Sequence, residues 1–329
     1  MSSRKRLWLL GLAVALLFVF AVLLSLALGP ANLSFGKVVK YLFTGQSAGE
    51  TGSTIFWQIR MPRVLLALLV GAALSLAGAI LQGMFLNPLT DPYVTGVSSG
   101  AALGATLAFV FKLPSIPWLS VLAVAGGLLT LFFVYSLARK QGALNIYRLL
   151  LVGVTVSYLF LALVSVLMIK SGRDLHAIFY WLLGSFSGRG WTEVKMCAVV
   201  LPFFAVPFFF VEEMNILLQG EERALELGVN VERVKLVLFF IAAFVTAIAV
   251  SVSGIIGFVG LVVPHISRLI TGPDHKKVML MSLFLGAAFM CLSDLIARVA
   301  FAPSEVPVGV VTIFFGAPFF IYLLRRRTA

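Results

Sequence analysis

Charge is scarce in this chain. Asp, Glu, Lys and Arg make up only 12% of its residues, against 61% that are hydrophobic, and the mean hydropathy is +1.07. A soluble core has no use for that much apolar side chain, so the shortage excludes a soluble globular domain and makes the bilayer the solvent. Nucleotide-binding and hydrolytic signatures are missing too. There is no G-x-x-x-x-G-K-[ST] or H-E-x-x-H, and no G-x-G-x-x-G between a strand and a helix. The chain therefore carries no visible machinery to bind or split a nucleotide, and no catalytic, cofactor or metal set is read from it. Cysteine is limited to Cys197 and Cys291, which lack metal-like spacing and read as packing residues within spans. The three histidines, His176, His265 and His275, have no carboxylate or second histidine at i+4, so local hydrogen bonding is the reading there. Internal repeats and low-complexity tracts are absent as well, which withholds support from an inverted-repeat secondary transporter.

What is present is a succession of apolar stretches. A span needs about 20 apolar residues to cross about 30 Å of hydrocarbon, and ten stretches qualify: 7–28, 62–84, 94–111, 117–138, 148–169, 192–211, 234–252, 254–271, 277–298 and 307–324. The expected fold class is all-α, a polytopic membrane protein forming one permease domain over 1–329. The first stretch, after Arg4-Lys5-Arg6, is too long for a signal-peptide core and reads as a retained helix. With ten spans both termini share one side, and a cytoplasmic placement puts most of the 25 lysines and arginines inside. The net charge of +12 is distributed over span ends rather than gathered in one patch, so nucleic acid is not an expected partner. Arg60, Arg63, Arg173, Arg189 and Arg298 fall on the other side. They either anchor to lipid headgroups or form a basic outer rim for an acidic partner.

Four segments carry the functional signal. Residues 80–100, ILQGMFLNPLTDPYVTGVSSG, break the apolar pattern with Asn87-Pro88 and Asp91-Pro92. Proline removes backbone donors and pushes the preceding residue towards extended conformations. Lipid satisfies no exposed backbone, so such an elbow belongs where protein buries it or where it lines a wet cavity. Its polar character runs from Gln82 to Ser99, longer than a turn requires, which favours a pathway-lining elbow. The second segment, about 212–233, includes an amphipathic stretch with Ala224, Leu225 and Gly228 on an apolar stripe. Four Glu and one Arg within 220–232 favour docking to a protein over lying on lipid. The third, 253–277, spaces Gly254, Gly257 and Gly260 by three before Pro264-His265 and Arg268, a pattern for close helix contact or a local break. In the fourth, Asp294 and Arg298 stand four apart. They neutralise each other or form half of a proton relay, whose second intramembrane acid is missing. A proton- or sodium-coupled transporter, which needs that acid, is the alternative; an intramembrane enzyme would need a nucleophile or acid pair that is not visible.

In order along the chain, RMPR (60–63), GAALSLAGAILQGMFLNPLTDPYVTGVSSGA (71–101), WLLGSFSGRGW (181–191), LLQGEERALELG (217–228), GIIGFVGLVVPHISRLITGPDH (254–275) and SDLIARVAFAPSEVPVGVVTIFFGAPFF (293–320) resemble the permease family of ATP-driven type II ABC importers for iron–siderophore complexes, haem and vitamin B12. The resemblance implies ten helices per subunit in the cytoplasmic (inner) membrane and a second copy forming a dimer, with the path on its axis. It also implies two ATPase subunits that bind ATP and Mg, and a periplasmic or lipid-anchored substrate-binding protein. By the same resemblance, Arg60, Arg63 and Arg298 pair with glutamates of the binding protein, and Glu221, Ala224 and Gly228 lie in the coupling segment against the ATPase. Asn87, Leu89 and the loop Asn145-Ile146-Tyr147 then belong to the inner gate and pathway. Ile146 and Tyr147 depart from the small hydroxyl residues common in that loop. The implied cargo is a ferric siderophore, haem or cobalamin, with molybdate or tungstate a lesser possibility.

Overall fold

A computed structural model describes residues 3–29, 33–45, 50–113, 116–140 and 143–327. The side chains of Arg4, Lys5, Arg6 and Arg173 lie outside the described set. The helices are α1 (Ser3–Ala27), α2 (Phe35–Thr44), α3 (Thr51–Thr54), α4 (Met61–Met84), α5 (Val97–Val110), α6 (Ile116–Ala138), α7 (Ile146–Ser171) and α8 (Leu175–Leu182). They continue as α9 (Trp191–Ala198), α10 (Leu201–Ala205), α11 (Val211–Leu217), α12 (Glu221–Glu226), α13 (Val231–Ser253), α14 (Val259–Thr271), α15 (His275–Val299) and α16 (Val308–Arg327). Among the described residues the only extended pairing is a two-residue antiparallel ladder, Arg139–Lys140 with Ala143–Leu144. The all-α expectation holds.

Among the described residues, six helical runs are long and apolar enough to cross a membrane: Leu9–Ala27, Thr51–Met84, Pro117–Ala138, Ile146–Ser171, Val231–Ser253 and His275–Val299. A bent pair, Trp191–Ala198 with Leu201–Leu217, and three shorter apolar helices, Val97–Val110, Val259–Thr271 and Val308–Leu323, complete the set. Each falls on one of the stretches read from hydropathy, but three boundaries differ. The run ending at Met84 begins at Thr51, eleven residues early, passing through a π-helical turn at Ile55–Arg60. The stretch at 192–211 is not straight: it bends by 40°, with Pro202 and Pro207 opening new helical segments because neither has an N–H to continue the old one. The join at 254 is a non-helical break, 254–258, entered through Gly254 at φ 74° and left through Phe258 at φ 70°.

The centre of the molecule is α4. In the run Thr51–Met84, 83% of the most apolar window is buried, against 17% for α1 and 22% for α7, so α4 is an axle and the other two are periphery. It packs on α13, α14 and α15. Lipid tails are as apolar as leucine, so helices in a bilayer associate through close contact and interhelical hydrogen bonds. Small residues on α4 provide both. A Cβ on Gly78 would run into the Gly260 carbonyl of α14, and one on Gly71 would meet the Gly286 carbonyl of α15. Between them, Ser75 Oγ donates to the Ser282 carbonyl at 2.7 Å.

Candidate functional site

Where α4 ends, the chain turns without a continuing helix, and nearly every polar group of the turn finds a partner. Asn87 Oδ1 accepts the Leu89 N–H at 2.9 Å, and Asp91 Oδ1 accepts the Tyr93 N–H at 2.9 Å, capping a 3-10 turn over Pro92–Thr95. Gln82 Nε2 donates to the carbonyls of Thr90, Gly260 and Leu261 at 3.4, 3.4 and 3.1 Å. Tyr93 Oη donates to the Ile256 carbonyl at 2.8 Å and accepts the Ile256 N–H at 3.0 Å. The elbow and the break at 254–258 thus satisfy each other's backbone, the protein partners that non-helical chain at membrane depth requires. Gly260 lets them meet, since a Cβ there would strike the Pro92 ring at 2.6 Å.

Beside the elbow lies a cavity of about 620 Å³ lined by Phe85, Leu86, Asn87, Asn145, Ile146, Tyr147, Leu150, Glu221 and Lys235. Four separate segments meet here: the elbow, the start of α7, the start of α12 and the first turns of α13. Asn145 is fixed by its own helix, its Oδ1 accepting the Arg148 N–H at 3.0 Å, while Tyr147 is 85% exposed. Leu89 is exposed and is not among the residues lining this cavity.

The amphipathic segment differs from its expected form. It is two short helices, α11 and α12, divided at Gly220, where φ is 105°. Glu221 bonds inward to Lys235 Nζ at 2.6 Å, tying α12 to α13, and the lysine is only 3% exposed. Ala224 is fully buried, so it anchors α12 to the body and presents nothing to a partner. Gly228, with φ 80°, ends the turn after α12. The outward apolar residues are Leu225 and Leu227, 61% and 53% exposed. The stripe expected from Ala224, Leu225 and Gly228 is therefore corrected: Ala224 belongs to the interior.

The three arginines do not form an exposed rim. Arg60, Arg63 and Arg298 are 4%, 7% and 3% exposed. Arg60 donates to the carbonyls of Leu26 and Ala27 at 2.6 Å each, closing the C-terminus of α1, where a cation meets the negative end of the helix dipole. Arg63 donates to Asp294 at 2.9–3.1 Å and to both oxygens of Glu305 at 2.9 and 3.0 Å. Arg298 reaches Asp294 at 3.1 Å and the Ser25 carbonyl at 3.2 Å. The expectation of a free basic rim fails because internal carboxylates and carbonyls already occupy these guanidinium groups. The Asp294–Arg298 pair neutralises itself, with Arg63 as a third member. Burial acts to raise the Glu305 carboxyl, but hydrogen bonding to Arg63 and the guanidinium charge outweigh it and hold the group below the usual carboxylate range.

Lys235, Tyr93 and Glu305 are the residues that reading the sequence did not single out for the site, whereas Gln82 marks the start of the elbow's polar character there. Gln82 had a signal, being a lone amide in an apolar helix. Lys235 had none, because a lysine at a span start reads as a headgroup anchor. No group of three or more His, Cys, Asp or Glu able to hold a metal occurs among the described residues.

A bundle of apolar helices around a buried axle, with a polar-edged cavity at a broken helix end, defines a transport permease. The chain belongs to the FecCD transport family, whose model matches residues 16–326, and it is a membrane permease of the ABC importer class. It is 47% identical over 281 residues to the cobalamin import system permease BtuC of Halobacterium salinarum, covering 84% of this chain and 75% of that one. It is 38% identical over 317 residues to the hemin transport system permease HmuU of Yersinia pestis, covering 94% and 95%. Among solved structures, an inward-facing conformation of a metal-chelate type ABC transporter matches with a TM-score of 0.86 and 33% identity, over 96% of this chain and 98% of that one.

Proposed function

We propose that this chain, paired with a second copy, imports a bulky metal chelate across the cytoplasmic membrane. In this reading two separate ATPase subunits power it, and a substrate-binding protein delivers the cargo. The observation that carries the reading is the cavity in which Asn87, Asn145–Tyr147 and Glu221 meet. In this reading the elbow is a mouth of the path, Asn145–Tyr147 its gate loop and α12 the ATPase-facing segment, and residues of all three line that cavity. Movement of α12 then reaches the gate through one ion pair, Glu221–Lys235, rather than through a long relay. ATP supplies the differential binding between states, and the permease supplies rigid elements that alternate. The similarity to an inward-facing transporter and to permeases named for cobalamin and hemin supports this class of cargo.

In this reading both termini, with the basic α1 start, lie in the cytoplasm, as the distribution of lysine and arginine favours. A binding protein that engages Arg63 with a carboxylate has to compete with Glu305 for it. A proton-coupled mechanism draws no support from Asp294, which two guanidinium groups hold. The test is co-reconstitution of the permease, its ATPase and its binding protein in liposomes, with uptake of labelled cobalamin, haemin, a ferric siderophore and molybdate measured. ATP-dependent uptake of one chelate is expected. Accumulation driven by a proton or sodium gradient without the ATPase would overturn the class, and uptake of molybdate alone would overturn the cargo.

A further inference from the structure

A second cavity, of about 400 Å³, lies on the other side of the elbow, between α4, the end of α11 and the last turn of α14. Arg268 lines it, and Nη2 of that arginine is buried without a hydrogen-bond partner. Elsewhere, Arg63 and Arg298 have Asp294, Arg189 has Glu193, Lys235 has Glu221, and Arg60 has the carbonyls of Leu26 and Ala27. No carboxylate is among the residues lining this cavity. Gln82 also lines it. Three carbonyls take its Nε2, which fixes the orientation of the amide and leaves Oε1 a buried acceptor with no donor. The remaining wall is Leu86, Pro88, Leu218 and Leu269, the last 60% exposed, together with the buried imidazole of His265.

A ligand that satisfies this set needs an anion for the guanidinium, a hydroxyl for the amide oxygen and a hydrocarbon portion for the leucines. We propose that the cavity binds the phosphate of a hydroxyl-bearing glycerophosphate group, as carried by phosphatidylglycerol. The phosphate sits on Arg268, a headgroup hydroxyl donates to Gln82 Oε1, and an acyl chain leaves over Leu218 and Leu269. Basic pockets between helices at the membrane edge hold anionic headgroups by the same balance of charge and apolar wall. Leu86 belongs to the elbow and Leu218 caps α11, with two residues between it and the start of α12, so an occupied cavity braces the path against the segment that moves it.

The test uses the full-length protein in neutral detergent. Phosphatidylglycerol, phosphatidylcholine, sn-glycerol phosphate and inorganic phosphate are each added to wild type, Arg268→Gln, Arg268→Lys and the exposed control Arg233→Gln. Native mass spectrometry reads lipid retention and thermal unfolding reads protection. Wild type is expected to retain phosphatidylglycerol about tenfold over phosphatidylcholine, the equivalent of one charge-assisted hydrogen bond. Arg268→Gln abolishes that preference, Arg268→Lys keeps part of it, and Arg233→Gln leaves it intact. Protection by phosphatidylglycerol alone assigns the phosphate to a lipid; equal protection by sn-glycerol phosphate or inorganic phosphate assigns it to a soluble source. Absence of any anionic preference in wild type, a comparison that needs no variant, overturns the proposal. So does equal loss in Arg233→Gln and Arg268→Gln.

Discussion

Replacing Asp294 with Asn separates two roles for the arginines around it. Asp294 is 1% exposed and holds the guanidinium groups of Arg63 and Arg298 from one carboxylate. Asparagine keeps the shape and removes the charge, leaving Arg298 buried beside a neutral amide and Arg63 with Glu305 alone. Removing one partner of a buried ion pair costs about 3–5 kcal/mol. At roughly 2–4 °C per kcal/mol, thermal unfolding in detergent should move down by roughly 10 °C. The shift should persist between 0.1 M and 1 M salt, concentrations chosen because the Debye length falls from about 10 Å to about 3 Å over that range. A double-mutant cycle with Arg298→Gln should show a coupling of about 0.5–3 kcal/mol. A shift below about 2 °C, or strict additivity in the cycle, would refute the view that this cluster braces α1, α4 and α15. If Asp294→Asn instead kept full stability and lost only salt-sensitive capture of the binding protein, the arginines would be a docking rim after all.

Gly78→Val drives a side chain into the Gly260 carbonyl; because backbone cannot step aside, a loss of at least about 1–3 kcal/mol is expected in thermal unfolding, and wild-type stability would show that α4 and α14 are not in close contact. Glu221→Arg sets a second cation against buried Lys235, so ATP-driven transport and ATPase pull-down should both fall; undiminished pull-down removes α12 from the coupling role. Burial pushes the Asp91 carboxyl up to about 6, only partly offset by the Tyr93 N–H. The folded state therefore favours its protonated form, and that contribution, complete below pH 4, is lost as pH rises through 6; Asp91→Asn should flatten stability across that window, and an identical pH profile would discard the assignment. Ile146→Ser with Tyr147→Ser widens the wall of the larger cavity and should raise leak from liposomes without ATP, whereas unchanged leak excludes both from the gate.

The spans were legible because each is a local property. Twenty apolar residues in a row declare a helix whatever surrounds them, which is why α1, α6, α7, α13 and α15 lie where hydropathy put them. The elbow was legible for a similar reason, since Asn-Pro and Asp-Pro interrupt any helix. The 40° bend after Ala198 was less so, because its prolines stand inside an apolar stretch whose mean hydropathy they hardly change. Side-chain direction was the harder matter. On a six-residue helix, Ala224 and Leu225 are neighbours in sequence and equivalent in composition, yet one is fully buried and the other 61% exposed. The arginines misled for the same cause: a cation at a span end has the same appearance whether it meets solvent or a carboxylate more than 200 residues away, as Arg63 does with Asp294.

The sequence by itself determined the solvent, the class of fold and the places where helices must break, since transfer of apolar side chains to lipid and the missing N–H of proline act within a few residues of chain. Tertiary structure alone decided which polar groups belong together. Asn87, Tyr147, Glu221 and Lys235 come from four distant stretches and share one cavity, and the positive charge at 60, 63 and 298 is internal rather than displayed. Pairing in a low-dielectric interior depends on separation in space, and no local pattern encodes a distance between residues that only packing brings into contact.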